Sequence, residues 1–373
     1  MHPVELLRAL RERGLRPAAL LGSWGGYRAV IAPAPRLRSG RLPGEAPWLG
    51  LIGYPDTVAG DDRLIPQVIG GDPGPLLLQS ANGTWTSTDP SFPIPEHPGP
   101  PLGWDATWIA PNRAAHRAAV LACQEAIRAG DVYQVNVCTR FDGALTGDPL
   151  DLFADIVART APAKAAYLEG NWGAVASFSP ETFLTERDGL LTERPIKGTL
   201  PLAEPPERLR ASVKDVAENV MIVDLVRNDL GRVAVTGSVR TPELLRVQAA
   251  PGVWHLVSVV TARQREGTTR RALLDATFPP ASVTGTPKLS ARERITDWER
   301  RTRGSYCGAI GIDHPLTGLD LNVAIRTVEA RDGALRLGVG GGITIDSEPD
   351  AEWRECLHKA SSIVGYRAAS AAS

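Results

Sequence analysis

Residues 173–199, GAVASFSPETFLTERDGLLTERPIKGT, give the clearest indication of the fold of this 373-residue chain. Short apolar runs recur through the stretch, and runs of this length are typical of strands. Asp188 and Gly189 separate two of these runs. Asp-Gly is a common hairpin turn because both residues tolerate positive φ. The stretch therefore predicts successive strands, including one antiparallel hairpin.

The chain after this stretch predicts an alternation of helices and further strands. A helix is expected from about Glu204 to Asn228, and others near 268–276, 286–301 and 348–365. Apolar runs between the helices predict strands at 231–239 (GRVAVTGSV), 307–313 (CGAIGID) and 335–344 (LRLGVGGGIT). The pattern is that of a mixed α/β chain with sheets as its core.

Upstream, a capped helix precedes a strand with one polar face. Asn112 can cap a helix that runs to Gly130, with Val120, Leu121 and Ile127 on its buried side. Residues 131–141, DVYQVNVCTRF, then alternate with a period of two, which predicts a strand. The mainly apolar face comprises Tyr133, Val135, Val137, Thr139 and Phe141. The polar face, which could line a site, comprises Gln134, Asn136, Cys138 and Arg140.

The N-terminal part of the chain has a different composition. A short charged helix is expected at the start, and the Gly- and Pro-rich remainder of residues 1–90 predicts short strands joined by turns. Six prolines fall between Pro90 and Pro101. Proline lacks the donor that helices and sheets need, so this segment is expected to be a connector.

Composition limits the classes of partner. Hydrophobic residues make up 43% of the chain and charged residues 22%, which allows a large core. The formal net charge of −1 argues against nucleic acid or an anionic membrane as a main partner. The sequence has no apolar run long enough to cross a bilayer and no signal-peptide core. Its four scattered cysteines form no CxxC, and we expect reduced thiols in a cytoplasmic protein.

Two pairs of acidic residues have a spacing that places both side chains of a pair on one helix face. Asp215 and Glu218 are three residues apart, and so are Glu352 and Glu355. Two such faces brought together would offer the oxygen ligands that Mg²⁺ prefers. Two solvated helix faces with ordinary ion pairs would give the same spacing, because Asp and Glu are mostly exposed.

The strand around Gly338–Gly342 is rich in glycine. Closely spaced glycines let backbone N–H groups approach a carboxylate or phosphate, although a bulge or a tight turn also explains them. Other motifs are missing from the sequence: GxxxxGK[ST], GxGxxG before a βαβ unit, HExxH and GxSxG. Nucleotide-binding loops, zinc peptidases and α/β-hydrolases therefore have no support.

Three basic residues are candidates for a site. Lys197 follows a predicted strand, and a lysine in a partly dry site can become a nucleophile, although most lysines lie on the surface. His255 interrupts the apolar run VWHLVSVV, either as an acid, base or donor, or as a core histidine with satisfied hydrogen bonds. Arg326, if buried, needs an anion, which a substrate carboxylate or an internal acid would provide.

These segments together resemble the chorismate-binding enzymes, a family that includes anthranilate, aminodeoxychorismate, isochorismate and salicylate synthases. The resemblance covers roughly residues 110–365, with the motifs in the family's order. They are GDVYQVN, SPETF, RPIKGT, ENVMIVDLVRNDLGRV, VWHLVS, SVTGTPK, YCGAIG, AIRT, GVGGGI and EWREC followed by a lysine. Residues 1–100 match only loosely.

The resemblance implies an α+β fold of two large antiparallel sheets packed face to face, with helices outside and the active site in the cleft between. It implies a divergent N-terminal lobe at 1–100, part of the same overall fold, and a chorismate-binding catalytic region at 101–373. It also implies a Mg²⁺ ion that holds the ring carboxylate of chorismate. The positions that match the family's metal-site acids are Asp215, Glu218, Glu352 and Glu355.

Other positions carry over as substrate contacts and catalytic groups. Those matching contacts to the substrate carboxylates are Arg326, Tyr306, Gly340, Gly341, Gly342 and the additional basic residue Lys359. His255 and Ser282 match residues near the ring, with Ser282 in place of a threonine. Glu181, in SPETF, matches the family's general acid.

Two positions distinguish the branches of the family. Gln134 stands where isochorismate and salicylate synthases carry a lysine that activates water, and glutamine cannot act as a base. Lys197 stands where anthranilate synthases have alanine, whereas the aminodeoxychorismate branch has lysine in PIKGT. The resemblance therefore implies para-amination of chorismate, for 4-aminobenzoate and folate-type biosynthesis.

The implied chemistry is covalent. Lys197 attacks C2 while the 4-hydroxyl departs with a proton from Glu181, and ammonia then enters at C4 and expels the lysine. Covalent catalysis splits one hard substitution into two easier ones. The sequence has no recognisable glutamine amidotransferase domain, so a separate glutaminase subunit is the expected partner.

Two alternatives stay open. An anthranilate synthase component I would release pyruvate, whereas para-amination keeps the enolpyruvyl group. A non-catalytic chorismate-binding subunit is the other alternative, and its support is Leu200 and Leu202, which stand where the family pattern has arginines.

Overall fold

The computed structural model describes residues 1–44, 47–56 and 61–365, so residues 366–373 of the expected catalytic region lie outside the described part. The helices in the described part are α1 (Pro3–Glu12), α2 (Arg113–Arg128), α3 (Pro149–Thr160), α4 (Glu207–Ala211), α5 (Val213–Gly231), α6 (Arg270–Thr277), α7 (Lys288–Glu299) and α8 (Pro349–Val364). A 3₁₀ turn covers Ala281–Val283.

The strands up to residue 170 are β1 (Ala18–Trp24), β2 (Tyr27–Ala32), β3 (Arg36–Ser39), β4 (Trp48–Ile52), β5 (Val68–Asp72), β6 (Leu77–Gln79), β7 (Trp85–Ser87), β8 (Trp104–Ile109), β9 (Gln134–Gly147) and β10 (Lys164–Gly170). Those after it are β11 (Gly173–Ser179), β12 (Thr182–Arg187), β13 (Leu190–Glu193), β14 (Ile196–Pro201), β15 (Arg240–Ala250), β16 (Val253–Arg263), β17 (Gly285–Thr286), β18 (Ala309–His314), β19 (Gly318–Val323), β20 (Thr327–Arg331) and β21 (Ala334–Ile343).

The described strands form two antiparallel sheets. Sheet A has the order β17-β9-β21-β20-β11-β10-β1-β2-β6-β7, and β8 also pairs with β9. Sheet B has the order β14-β16-β13-β12-β19-β18-β4-β5-β3, and β15 also pairs with β16. Strands that precede residue 100 belong to both sheets, so the expected N-terminal lobe and catalytic region share their sheets.

The sheets pack face to face because their central strands are buried on both sides. Leu20 in β1 contributes to a core that also contains Leu51 and Ile310 of sheet B. Its neighbour Leu21 belongs to a second core, which includes Phe153 of α3. Consecutive strand residues point to opposite faces, so one side of sheet A meets sheet B and the other is covered by helices. The architecture implied by the resemblance is confirmed.

Several local predictions are confirmed. The hairpin at Asp188 and Gly189 joins β12 to β13 in antiparallel register. Asn112 caps α2 by accepting a hydrogen bond from the amide of Ala115 at 3.0 Å. The four cysteines are free and buried. Within the described ranges, no helix is both long and apolar enough to span a membrane.

Other local predictions are wrong. Leu121 is 44% exposed and Tyr133, which precedes β9, is 66% exposed, so neither lies on a buried face. The helix expected at 204–228 is split into α4 and α5, because the Ser212 side chain accepts the amide N–H of Asp215 and caps a new helix. The strand expected at 231–239 is also absent from this described segment, where only Ala234 forms an isolated bridge. That apolar run is explained by burial of Val233 and Ala234 against the helices.

One buried ion pair connects the two sheets directly. Lys164 in β10 places its Nζ 2.6 Å from Asp320 Oδ1 in β19, and both side chains are almost fully buried. The other carboxylate oxygen of Asp320 accepts the amide of Gly25 at 2.8 Å. The Lys164 ammonium also lies 4.3 Å from the centre of the Trp24 ring. The pair is therefore well satisfied, and removing one member would strand a buried charge.

We expect Asp320→Asn to lower the free energy of unfolding by about 3–5 kcal/mol, because it leaves the Lys164 ammonium buried without its counter-charge. Burial already lowers the pKa of Lys164, and Asp320 opposes that shift. The substitution should lower this pKa further, so the loss should shrink as pH rises and the amine becomes neutral. Urea unfolding at neutral and alkaline pH measures both effects.

The matched control is the double variant Lys164→Met with Asp320→Leu, which removes both charges and should lose less stability than the single variant. Equal losses in the single and double variants would contradict this account.

Candidate active site

Helix α5 links the two sheets at the predicted site. A Cβ atom added to Gly198, in β14 of sheet B, would lie 3.0 Å from the Cβ of Asp215. A Cβ added to Gly342, in β21 of sheet A, would lie 3.3 Å from a carboxylate oxygen of Glu218. The two acids on one face of α5 therefore contact opposite sheets. Gly198 is favoured by its φ of +85°, and a side chain at position 342 would first meet the side-chain amide nitrogen of Gln134.

Helix α8 brings the second acidic pair to the same place. A Cβ on Gly341 would lie 3.2 Å from Glu352 Oε2 and 3.7 Å from Glu355 Oε1. Lys359, one turn further along, donates a hydrogen bond to the carbonyl of Gly340 at 2.8 Å. The same ammonium forms an ion pair with Glu355 at 2.7 Å. The glycine-rich end of β21 is thus the floor of a cluster of charged side chains.

The four acids suit a hard divalent cation in their chemistry. Burial raises the pKa of Glu218, and the nearby carboxylates of Asp215 and Glu352 raise it further, against the opposing charges of Lys197 and Lys214. Glu218 Oε1 is buried without a hydrogen-bond partner among the described residues. Mutual repulsion and an orphaned carboxylate oxygen are features that a bound cation would relieve.

Lysines hold two of these acids in the structure as it stands. Lys214 Nζ lies 3.0 Å from Glu352 Oε1, and Lys359 pairs with Glu355. Consistent with this, no group of three or more His, Cys, Asp or Glu side chains in the described part of the chain is arranged to hold a metal ion. The donor set fits Mg²⁺, provided that the acids exchange their lysine partners for the ion.

A bulge in β14 presents Lys197. The register of β14 against β16 shifts between Ile196 and Thr199, and Gly198 has a φ of +85°. A bulge re-aims the side chains beside it. The half-buried Lys197 acts electrostatically on the carboxylates of Glu181, Glu218 and Glu355. The only lysine in PIKGT is therefore placed among the acids.

Glu181 is buried next to this lysine. Burial raises the pKa of its carboxyl to about 7, against hydrogen bonding from Ser282 and the charge of Lys197. The amide of Ile196 donates to Glu181 Oε1 at 3.3 Å. A carboxyl with this pKa can hold and give up a proton near neutral pH, which is what a general acid needs.

His255 and Arg326 line a cleft of about 670 Å³ between the sheets. Burial, with the charge of Arg326, lowers the pKa of His255 to about 4, so the imidazole is neutral at pH 7. Its Nδ1 lies 3.0 Å from Thr199 Oγ1. Burial alone lowers the pKa of Arg326, and among the described residues no carboxylate pairs with its guanidinium. The cleft therefore offers a half-buried cation to an anionic ligand.

The other predicted residues divide into two groups. Gln134 is buried and donates to Glu218 Oε2 at 3.3 Å, so the polar face of β9 does reach the acidic cluster. Ser282 adjoins Glu181. Tyr306, in contrast, packs its ring against Gly338, three residues before the first of the glycines beside the acids.

The sequence did not point to two residues that contact members of the site. Lys214 pairs with Glu352 and approaches Glu218 at 3.9 Å. Thr199 contacts His255. Only their positions in the sequence could have indicated a role, since Lys214 precedes Asp215 and Thr199 ends the motif RPIKGT.

Comparison with known proteins identifies the family of the chain. The family described as chorismate binding enzyme matches residues 87–365. The chain belongs to this family of chorismate-binding enzymes.

Two curated relatives and one solved structure illustrate the similarity. Aminodeoxychorismate synthase component 1 of Salmonella typhimurium is 42% identical over 245 residues, covering 64% of this chain and 54% of that protein. The 2-amino-4-deoxychorismate synthase of Streptomyces globisporus is 36% identical over 293 residues, covering 77% and 59%. The structure of anthranilate synthase component I from Streptococcus pneumoniae TIGR4 aligns with a TM-score of 0.74 and 26% identity, covering 88% and 83%. The matches thus span little more than half the length of the two curated relatives.

We expect Arg326→Gln to raise the pKa of His255 from its value of about 4, because the guanidinium charge is one of the two causes of the depression. Burial should still keep it below the ordinary 6.5. Because the folded-state pKa is the lower one, this histidine reduces stability as pH falls from about 6.5 towards 4, and the variant should lose less over that window.

Proton NMR of the histidine ring signals against pH measures the shift, with His255→Asn used to assign the resonance. A midpoint that does not move in Arg326→Gln would contradict the assigned electrostatics.

Proposed function

We propose that this chain aminates chorismate at C4 to give 4-amino-4-deoxychorismate, as an aminodeoxychorismate synthase component I acting with a glutaminase subunit. The observation that carries the proposal is the bulge in β14, which places Lys197 within electrostatic reach of Glu181, a buried carboxyl with a pKa of about 7. A nucleophile and an acid side by side are what a substitution with a poor leaving group requires.

Chorismate carries two carboxylates, and the site has two places for anions. The half-buried guanidinium of Arg326 has no internal carboxylate partner among the described residues and suits one of them. Lys359 and the backbone of Gly340–Gly342 suit the other, near the acidic cluster. Neutral His255 would lie beside the ring as a hydrogen-bonding group. We further assign Gln134 and Ser282 to the walls of the site, and Tyr306 to a packing position against Gly338 of β21.

Mg²⁺ is the proposed cofactor, held by Asp215, Glu218, Glu352 and Glu355. When bound there, it would neutralise the ring carboxylate and draw electron density towards it. The glycines at 341 and 342 leave the space in which these acids approach β21.

In the first step, the neutral amine of Lys197 forms a bond to C2 of chorismate. The two ring double bonds shift, the C4–O bond breaks, and Glu181 gives its proton to the departing hydroxyl, which leaves as water. The secondary ammonium formed at Lys197 then loses a proton. In the second step, ammonia bonds to C4, the double bonds shift back, and the C2–N bond breaks as Glu181 gives a proton to the departing amine of Lys197. The ammonium formed at C4 then returns a proton to Glu181.

Water competes with ammonia as the nucleophile, and Gln134 is the residue that disfavours attack by water. An amide side chain has no basic atom with which to activate water. Ammonia delivered by a glutaminase therefore faces little competition from assisted hydrolysis. The product keeps its enolpyruvyl group, so a lyase must act next if 4-aminobenzoate is the end product.

We expect the chain, incubated with chorismate, Mg²⁺ and an ammonium salt, to form an amine of chorismate without releasing pyruvate. Mass spectrometry identifies the product, and NMR distinguishes amination at C4 from amination at C2. Lys197→Ala should lose C4 amination by about 10²-fold or more, because the covalent route is closed.

Lys197→Arg, which keeps the charge without a nucleophilic amine, is the matched variant and should also be inactive. Anthranilate with pyruvate from the parent chain would refute the proposal in favour of an anthranilate synthase. Absence of any product, with and without a glutaminase, would favour a non-catalytic subunit.

Metal binding has a readout that does not depend on activity. We expect Mg²⁺ at about 100 times its Kd to stabilise the parent chain by about 2.7 kcal/mol, and Glu218→Gln to abolish most of that gain. Without Mg²⁺, the variant should be the more stable of the two, because it removes a buried carboxylate from a cluster of acids. Thermal unfolding with and without Mg²⁺ measures both effects, and Glu12→Gln, at an exposed position on α1, is the control. An equal response to Mg²⁺ in Glu218→Gln would contradict the site.

A further inference from the structure

A second, much smaller cavity adjoins Glu181. Its volume is about 10 Å³, close to the space that one water molecule needs. Among the residues that line it are two carboxyl groups, Glu181 and Glu193, and the hydroxyl-bearing Ser282. The remaining wall is mainly apolar, including Pro195, Val226 and Val323. Two acidic side chains therefore line one water-sized space.

Glu193 has no role in the proposed reaction so far, and its burial needs an explanation. It ends β13, four residues before Lys197, and is 3% exposed. Its Oε1 is buried and has no hydrogen-bond partner among the described residues. An unpartnered buried polar atom costs about 1–3 kcal/mol, so native proteins seldom retain one without a use.

The charges around the two carboxyls differ in sign. Glu181 faces the positive side chains of Lys197 on β14 and Lys359 on α8. Burial raises the pKa of Glu193, and Asp229 of α5 and Glu181 raise it further, against the charge of Lys288 on α7. Glu193 is thus the member of the pair that more readily keeps a proton.

The positive charge of Lys288 stabilises the ionised form of Glu193. The ammonium of Lys288 donates to Asp229 and, at 2.8 Å, to the carbonyl of Thr277. Its charge favours the carboxylate of Glu193. Burial and the neighbouring acids therefore favour the protonated form of Glu193, and Lys288 favours its carboxylate.

We propose that Glu193 holds the proton that restores Glu181 after it has protonated the leaving hydroxyl. This inference rests on the proposed role of Glu181 as the general acid. The proton passes from the Glu193 carboxyl to a water in the small cavity, and that water gives one of its protons to the Glu181 carboxylate. Glu193 remains as a carboxylate near Lys288 until the secondary ammonium of the Lys197 adduct releases its proton to the pair. No bond to carbon changes, and the proton count closes over one turnover.

Glu193 also sets the pH range of the reaction. In a pair of interacting carboxyls, the charge left by the first ionisation raises the pKa at which the second proton leaves. One proton therefore stays available to Glu181 at a higher pH than a lone carboxyl would allow. The groups facing the pair are Lys197, Lys359, Asp229, Lys288 and the hydroxyl of Ser282.

The test is the pH dependence of Glu193→Gln. We expect the alkaline limb of its kcat profile to move down by about one pH unit. At the alkaline edge of the parent's range, kcat should fall about tenfold with little change in KM for chorismate. Glu193→Asp, which keeps a carboxyl at the cavity, should restore most of the profile. If Glu193→Gln does not fold, the kcat profile of Glu193→Asp tests the proposal, since a profile unlike the parent's would contradict it.

A matched control lies on the same hairpin. Glu186 in β12 is 9% exposed but pairs with Arg270 at 2.7 Å, and it does not line the small cavity. Glu186→Gln should alter stability while leaving the pH profile in place. A profile that moves equally in this variant would overturn the assignment, because burial of any hairpin carboxylate would then account for the effect.

Infrared titration of the resting enzyme separates this inference from the proposed function. The band of protonated carboxyls should disappear in two linked steps in the parent. It should disappear in one step, at lower pH, in Glu193→Gln, with Glu181→Gln used to assign the other step. Independent titrations, or an unchanged kcat profile in Glu193→Gln, would overturn the proton-holding role. If the parent makes no C4 amine but the linked titration is seen, the proposed function fails and the coupled pair stands.

Discussion

The constraint on which the rest of the site depends is the crowding of carboxylates at the junction of the two sheets. Asp215, Glu218, Glu352 and Glu355 come together there, and the burial of Glu218 and Glu352 makes their repulsion costly. Lys214 and Lys359 compensate part of this charge from the acids' own helices, since each forms an ion pair within the cluster. Glycine at positions 341 and 342 of β21 gives the side chains room. One requirement, the balance of negative and positive charge in a confined space, therefore links the lysines on α5 and α8 to the glycines of β21.

Two departures from the family pattern, Leu200 and Leu202, fall outside this cluster. Leu200 pairs with Trp254 at the end of β14, and Leu202 follows the strand with 44% of its surface exposed. The bulge that carries Lys197 lies on the other side of Thr199 and is held by pairing with β16 at both ends. The leucines that replace the arginines thus alter the end of β14 and leave the bulge that carries Lys197 intact. This speaks for a working site over an inert binding subunit.

Sequence reasoning predicted features that depend on neighbouring residues. The Asn112 cap, the Asp188–Gly189 hairpin and the polar side of β9 through Gln134 all follow from local periodicity and turn chemistry. It failed where packing between distant segments decides the outcome. The apolar run at 231–239 is buried without pairing as a strand, and no local signal distinguishes the two. The pairing order of the sheets, the link between Lys214 and Glu352, and the shared cavity of Glu181 and Glu193 join segments far apart in the chain. The family resemblance supplied the two packed sheets, and all three of these features came from the structure.

The distribution of early strands over both sheets has a consequence for how the chain is made. β1 pairs with β10, and β4 pairs with β18, so Ala19 meets Tyr167 and Leu51 meets Ile310. Such distant pairings raise the contact order and slow folding, because long loops must close before the pairing can compensate for their entropy. On the ribosome, β4 has no β18 to pair with until most of the chain has emerged. Its exposed edge is a natural binding site for chaperones during that interval.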